Sequence, residues 1–185
     1  METSFFVDPT LYRGRPADCT ERAAEETATY DLLDRLGILY LRLDHDPAMT
    51  IADCAEIDER LGTAMCKNLF LCNAQKTAFY LLMMPGNKPF RTKDLSHQIQ
   101  SARLSFADAA HMEAFLHIHP GSVSVMGLMY DAEHRVRLLI DRDVAVEPYV
   151  GCHPCVNTSS LRIATADLLE RFLPAVGHAP TMVTL

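Results

Sequence analysis

KNLFLCNAQKTAFYLLMM, residues 67–84, contains two apolar runs separated by a short polar break. Apolar runs of this length that are bounded by turn signals are typical of β-strands. We therefore predict two strands, KNLFLCN and TAFYLLMM, which are joined through residues 74–76 and followed by a turn at PGNK (85–88). Because the two strands follow one another directly, they favour an antiparallel pair over a strand–helix–strand unit.

Segments on both sides of this hairpin continue the pattern of short strands with helices between some of them. The predicted strands are ILYLRLDH (38–45), ARLSF (102–106), NTSSLRI (157–163) and a hairpin of SVSVMGLMY (122–130) with RVRLLID (135–141). The predicted helices are 20–36, 50–62 with Thr50 as its N-cap, a turn near 94–99, 107–116 and 164–173. Strands outnumber helices, which predicts an α+β single domain with a mixed, mostly antiparallel β-sheet flanked by helices.

The composition is that of one ordinary globular domain. The 185 residues are 49% apolar and 22% charged, and no apolar run approaches the roughly 20 residues that span a bilayer. We expect an N-terminal arm at 1–19, one domain at 20–173 and a C-terminal tail at 174–185. The chain begins without a secretory signal pattern, so we expect a cytoplasmic protein with no membrane partner, whose six cysteines are reduced thiols.

A basic segment lies inside this acidic chain. The formal net charge is −7, whereas residues 65–107 carry six Lys or Arg and a single acid, Asp94. Binding to nucleic acid responds to local potential, so the segment is either a phosphate-binding surface or a solvated face with acids folded beside it. Its charge alone leaves both interpretations open.

The stretch GCHPCVNTSS, residues 151–160, brings two cysteines, a histidine and an asparagine into a few positions. A zinc site is disfavoured because Cys152, His153 and Cys155 lack a second ligand pair at the usual spacing, although HME (111–113) matches one element of zinc deaminases. A thioredoxin-like thiol pair is disfavoured because a strand, and not a helix, is predicted to follow it. A nucleophilic cysteine activated by its neighbouring histidine is disfavoured as well, since adjacent residues of an extended chain point to opposite faces.

A second polar loop offers a different interpretation of that stretch. HPGSVS, residues 119–124, begins with a Pro-Gly turn, and we expect its backbone N–H groups at 121–123 to face an anion. Taken alone, such a loop is usually only a turn, but beside it the stretch 151–160 is interpreted as a polar wall of a substrate cleft, in which the cysteines are small packing residues.

Three motifs in this order, KNLFL (67–71), PGSVSVMGL (120–128) and HPCVNTSSLRI (153–163) running into ADLLERFL, resemble the prolyl-tRNA editing family, the YbaK/ProX-like aminoacyl-tRNA deacylases. The resemblance covers residues 25–173 and is greatest to the free-standing branch that clears Ala-tRNA(Pro). It implies hydrolysis of mischarged tRNA(Pro) without a metal or another cofactor, with the vicinal ribose hydroxyl of the substrate helping to activate water. The implied partners are the acceptor end of tRNA(Pro) and, as a further candidate, prolyl-tRNA synthetase.

The resemblance also implies the site residues. Lys67 matches the family's functional lysine and is expected to hold the substrate near its ester, with Asn68 beside it as the second catalytic residue. The expected substrate-binding residues are Gly121, Ser122, Val123, Ser124, His153, Pro154, Asn157 and Thr158, of which His153 orients the substrate and does not act as the base. The expected tRNA-binding residues are Lys88, Arg91 and Lys93. We expect part of a wall of small residues to come from TIADCAEI (50–57).

Two departures from the family pattern concern specificity. Val125-Met126 stands where many relatives have proline-phenylalanine, and Tyr130 stands where they have asparagine. The cleared amino acid therefore stays open between alanine and another, such as cysteine. A binding module that retains the fold without the activity is the alternative from a different functional class.

Overall fold

The computed structural model describes residues 5–48 and 51–185, with side chains from residue 53 onward in the second range. Within these residues the strands, in chain order, are β1 (Tyr12–Arg13), β2 (Tyr40–Asp44), β3 (Cys66–Asn73), β4 (Phe79–Pro85), β5 (Leu104–Phe106), β6 (Val136–Asp141), β7 (Tyr149–Cys152), β8 (Ser159–Ala164) and β9 (Thr181–Val183). The helices are α1 (Ala24–Arg35), α2 (Ile51–Leu61), α3 (Thr92–Gln98), α4 (Ala109–Leu116), α5 (Arg142–Ala145), α6 (Thr165–Asp167) and α7 (Leu173–Ala175). A 3-10 helix (Val125–Tyr130) and a π-helical segment (Leu168–Phe172) complete the set.

The strands form two sheets. The larger sheet has the order β5-β3-β4-β6-β9, with β3 antiparallel to β4 and β5, and with β6 parallel to both β4 and β9. The smaller sheet has the order β1-β2-β8-β7 and is antiparallel throughout. This arrangement confirms the predicted α+β class with mostly antiparallel pairing.

The two sheets meet at an isolated bridge, in which Met65 pairs with Gly151 in parallel. The backbones approach closely there, because a Cβ on Gly151 would lie 2.7 Å from the carbonyl oxygen of Ala64. As a result, the start of β3 and the end of β7 lie side by side. The motifs beginning at Lys67 and His153 each follow this bridge by two residues.

The β3–β4 pair forms the centre of the molecule, as its sequence predicts. All but the last residue of β4 is buried, and Leu71 of β3 lies opposite Tyr80. Both faces of the larger sheet are covered, since alternate residues of β4 belong to separate apolar clusters, Leu81 to one and Leu82 to the other. Such two-sided burial explains why β4 is a continuous apolar run and not an alternating one.

The segment SVSVMGLMY was predicted as a strand, and this prediction is wrong. Residues 125–130 form a 3-10 helix instead, with Ser124 as its N-cap accepting a hydrogen bond from the amide of Met126. The first four residues of this helix are all buried, so the segment lacks the alternation of buried and exposed residues that a half-exposed strand would show. Gly127 packs so tightly that an added Cβ would lie 2.4 Å from Cδ1 of Ile118.

Three further observations concern the predicted boundaries. β7 was not predicted as a strand, and β9 lies within the predicted tail at 174–185, where it pairs with β6. The helix predicted at 50–62 is present as α2, but Thr50, its predicted N-cap, lies outside the described residues. No helix in the described part of the chain is both long and apolar enough to cross a membrane.

Candidate active site

A cavity of about 490 Å³ opens between α2, the start of β3 and the loops at 85–87, 121–123 and 153. Its polar lining side chains are those of Asp58, Lys67, Asn68, Asn87 and His153. Its apolar lining residues include Ala48, Cys54, Ala55, Ala64, Met65 and Val123. Most of these apolar side chains are small, and Cys54 and Ala55 come from the segment that was predicted to supply a small-residue wall.

Lys67 enters this cavity from the second position of β3. It is half-buried, and its ammonium group donates a hydrogen bond to the backbone carbonyl of Lys88 at 3.0 Å. An ammonium group has three N–H donors, so two remain for other partners. The contact fixes the side chain against the turn that follows β4.

Lys88 was predicted to bind tRNA, but its ammonium group is already paired within the protein. It donates to Asp141, which is fully buried, and to Asp143, each at 2.8 Å. Hydrogen bonds to Asp141 and then Asp143 raise the pKa of Lys88. Lys88 therefore holds the turn whose carbonyl contacts Lys67, and its charge is not free to meet a phosphate.

Asn68 follows Lys67 on β3 and also lines the cavity. Its amide nitrogen donates to the carbonyl of Cys66 at 3.2 Å, whereas its Oδ1 is buried without a hydrogen-bond partner among the described residues. A buried acceptor without a donor costs about 1–3 kcal/mol. A donor on a bound molecule would remove this cost.

His153 is held in one tautomer by the strand that follows it. Its Nδ1 lies 2.9 Å from the carbonyl oxygen of Ser159. A carbonyl oxygen only accepts, so we assign the proton to Nδ1, which leaves the lone pair on Nε2. Burial lowers the pKa of His153 to about 4. The imidazole is therefore neutral near neutral pH and presents a hydrogen-bond acceptor.

A buried polar chain supports His153 from behind. Nδ1 of His45 lies 2.7 Å from the carbonyl of Asp46, and its Nε2 lies 2.8 Å from the hydroxyl of Ser160. That hydroxyl is also 3.4 Å from Nδ1 of His153. Sequence reasoning missed His45, and the only available signal was a histidine at the end of a predicted strand.

The loop at 121–123 faces the cavity through Gly121 and Val123. Gly121 has a φ of 90°, a conformation that favours glycine. The amide of Ser122 was expected to be free, which is wrong, since it donates to the carbonyl of His119 at 3.1 Å and closes the turn. Ser124 is fully buried, and its hydroxyl donates to the carbonyl of His153, so it joins the two loops and does not face the cavity.

The other predicted substrate-binding residues lie outside the cavity lining. Pro154 is buried, and the carbonyls of Asn157 and Thr158 accept hydrogen bonds from the amides of Ala48 and His45, both at 3.0 Å. These three residues therefore shape the loop and tie it to the end of β2.

Two of the predicted tRNA-binding residues are exposed cations. Arg91 and Lys93 lie at the start of α3, and neither forms an ion pair with any described residue. The solvated-face interpretation requires acids beside them, and Asp94 is the acid in the first turn of that helix. Both side chains remain available to solvent and to phosphate groups.

The cysteines of the GCHPC stretch are packing residues. Cys152 and Cys155 are buried free thiols, and burial raises the pKa of both. A thiol that stays protonated is a poor nucleophile and a poor metal ligand. Within residues 5–48 and 51–185, no three His, Cys, Asp or Glu side chains are grouped as a metal site requires.

Comparison with known proteins identifies the family of this chain. Residues 45–171 match the sequence model of the aminoacyl-tRNA editing domain. The chain belongs to the aminoacyl-tRNA editing domain family. The predicted family is thereby confirmed, and the matched range contains every residue that lines the cavity.

Individual relatives extend the comparison over most of the chain. The prolyl-tRNA editing protein ProX of Acetoanaerobium sticklandii is 31% identical over 146 residues, which cover 79% of this chain and 88% of that protein. The prolyl-tRNA synthetase associated domain-containing protein 1 of Danio rerio is 27% identical, over 83% of this chain and 84% of the relative. The crystal structure of the hypothetical protein APE2540 superposes with a TM-score of 0.62 at 18% identity, over 84% of this chain and 96% of the other, which supports the fold alone.

Proposed function

We propose that this protein is a trans-acting deacylase that hydrolyses mischarged tRNA(Pro), with Ala-tRNA(Pro) as its first substrate. The observation that carries the proposal is the convergence of Lys67, Asn68 and His153 with the loop residues Gly121 and Val123 on one small-walled cavity. Membership of the aminoacyl-tRNA editing domain family supports the reaction type. The name of the ProX relative supports the choice of tRNA(Pro).

The reaction needs stabilisation of negative charge at the ester carbonyl. Water adds to the carbonyl carbon, a tetrahedral oxyanion forms, and the bond to the terminal ribose oxygen then breaks as that oxygen takes up a proton. The two remaining donors of the Lys67 ammonium are suited to this oxyanion. The amide of Gly121 is a second candidate, because it makes no hydrogen bond to another described residue.

The neutral His153 supplies an acceptor and not a charge. Its Nε2 lone pair is suited to a hydroxyl of the terminal ribose or to the attacking water. Because Nδ1 is fixed by Ser159, the ring cannot turn without losing that hydrogen bond. This geometry suits the role of orienting the substrate, while the vicinal ribose hydroxyl assists the water.

The tRNA would approach across the basic segment. The exposed Arg91 and Lys93 are suited to phosphates of the acceptor stem, whereas Lys88 is excluded from this role by its two carboxylate partners. We also propose prolyl-tRNA synthetase as a partner, since the name of one relative says that it contains a prolyl-tRNA synthetase associated domain.

The test is deacylation of Ala-tRNA(Pro), Cys-tRNA(Pro) and Pro-tRNA(Pro) by the wild type, Lys67→Ala and Lys76→Ala, in the presence of a chelator. Lys76 is a matched control, because it lies in the β3–β4 turn, pairs with Asp108 and is absent from the cavity lining. We expect rapid loss of alanine, sparing of Pro-tRNA(Pro), and a loss of about 100- to 1,000-fold in kcat for Lys67→Ala alone.

Each other result has a defined meaning. Faster clearance of cysteine than of alanine would replace the substrate within the same reaction class. Tight binding of tRNA(Pro) without turnover of any ester would favour the non-catalytic binding module. Equal activity of Lys67→Ala and the wild type would refute the role given to Lys67.

A further inference from the structure

Asp58 is a cavity residue that sequence reasoning did not find. It lies on α2, is half-buried and lines the same cavity as Lys67 and His153. Its Oδ1 accepts a hydrogen bond from the amide of Met65 at 2.8 Å. Because Met65 forms the bridge to Gly151, this hydrogen bond anchors the carboxylate where the two sheets meet.

The carboxylate of Asp58 has no cationic partner among the described residues. The fully buried Asp141, by contrast, pairs with Lys88, and the half-buried Asp44 pairs with Arg22 and Arg42. Oδ2 of Asp58 makes no hydrogen bond to the described part of the chain. An anion that is partly removed from water without a counter-charge is unfavourable, and burial raises the pKa of Asp58 in spite of the Met65 hydrogen bond.

Lys67 does not neutralise this carboxylate, although both residues line the cavity. Its ammonium group is directed to the Lys88 carbonyl and forms no ion pair with Asp58. The cavity therefore keeps one cation and one anion apart. A ligand that fits both would carry a positive group close to a polarised carbonyl.

We propose that Asp58 binds the α-ammonium group of the aminoacyl ester. This inference rests on the proposed deacylase function and names its substrate class as esters with a free α-amino group. In such an ester the ammonium nitrogen and the carbonyl carbon are both bonded to Cα. Asp58 at the nitrogen and Lys67 at the carbonyl oxygen would therefore orient the reacting bond together. An N-acylated ester, such as a peptidyl-tRNA, has no ammonium group and would leave Asp58 unpaired.

A purely structural role makes a different prediction. If Asp58 only holds the loop before β3, an asparagine at this position would serve equally well, because its Oδ1 still accepts from the Met65 amide. Asp58→Asn therefore removes the charge and keeps the anchor. Glu59→Gln is the matched control, since Glu59 is the next residue of α2, is exposed and does not line the cavity.

The experiment measures binding without turnover. The probe is tRNA(Pro) ending in 3′-amino-3′-deoxyadenosine and carrying alanine through a stable amide bond, with the N-acetylated form of the same probe as its comparison. Calorimetric titrations use the full-length wild type, Asp58→Asn and Glu59→Gln. We expect the wild type and Glu59→Gln to bind the free-amino probe roughly 10- to 100-fold more tightly than the N-acetyl probe.

For Asp58→Asn we expect the two probes to bind equally, at the level of the N-acetyl probe. An unchanged preference in Asp58→Asn would overturn the inference, and so would a wild type that binds both probes alike. A preference that depends on Asp58 in a protein that hydrolyses no mischarged tRNA would uphold the ammonium site while refuting the proposed deacylase activity.

Discussion

Lowering the pH from about 7.5 to about 5.5 tests whether His153 works as a neutral acceptor. A histidine with its usual pKa of 6.5 would be about 90% protonated at pH 5.5, whereas His153, with a pKa of about 4, would be about 3% protonated. If neutral imidazole is required, an ordinary histidine would lose about tenfold in kcat/KM over this range. His153 should lose almost nothing.

The assay is the pH profile of kcat/KM for Ala-tRNA(Pro), measured for the wild type and for His153→Gln. The ratio of the two profiles cancels the ionisation of the substrate and of other residues that both proteins share. We expect this ratio to be constant across the range. His97→Gln serves as the control, because His97 is an exposed histidine on α3, away from the cavity.

The same pKa shift affects stability, and its sign follows from proton binding. The folded protein binds a proton on His153 less tightly than the unfolded chain does. The contribution of His153 to the free energy of unfolding is therefore fully present above pH 6.5 and is lost as the pH falls towards 4. The loss is at most about 3 kcal/mol.

The kinetic assay has a refuting outcome. A wild-type kcat/KM that falls with a midpoint near pH 6.5, together with a wild-type to His153→Gln ratio that falls over the same range, would refute the neutral-acceptor reasoning.

Two further substitutions test the supports of the site and of the fold. Lys88→Met should lower the free energy of unfolding by about 3 kcal/mol, because it leaves the buried Asp141 unpaired, and denaturant titration should show recovery in the double variant with Asp141→Asn. If Lys88 positions Lys67 through its carbonyl, kcat should stay low in this double variant but not in Lys88→Arg. A wild-type kcat in the double variant would contradict this positioning role. Gly127→Ala should cost about 1–3 kcal/mol by the same titration, since the new Cβ would lie 2.4 Å from Ile118, and an unchanged midpoint would show that the contact relaxes freely.

The features that local sequence predicts well are those decided by neighbouring residues. The β3–β4 pair follows from two apolar runs and a short turn, and the structure has both strands at these positions. Lys67 and His153 were found because each stands in a contiguous motif. Their convergence on one cavity was an expectation from the resemblance, and the sheet bridge next to each motif produces it.

The features that were missed depend on contacts between distant parts of the chain. Ser160 meets His45 across 115 positions, and Lys88 meets Asp141 across 53. No local pattern distinguishes Lys88 from an exposed lysine such as Lys93, so the basic segment and the family resemblance together led us to expect both on the tRNA surface. Only the fold shows that the first is already neutralised.

The residues that depart from the family pattern lie outside the cavity. Val125 and Met126 are fully buried in the core, and neither lines the cavity. Tyr130 stacks on His117, with ring centroids 4.2 Å apart, away from the proposed site. In the proposed site, specificity would therefore depend on the residues that do line the cavity, above all the small side chains near α2.

Anchoring at two points explains how such a wall can discriminate between similar amino acids. A missing methylene group changes the binding free energy by only about 1–3 kcal/mol, so a synthetase pocket shaped for proline cannot reject alanine strongly. Proline and alanine both carry a protonated α-nitrogen, so Asp58 alone cannot separate them either. However, if Asp58 holds the nitrogen and Lys67 holds the carbonyl, the Cα substituent has a single direction left. The three-carbon chain of proline would then need more room along this direction than the methyl group of alanine, so small residues that line the cavity, such as Ala48 and Ala55, could reject proline by its size.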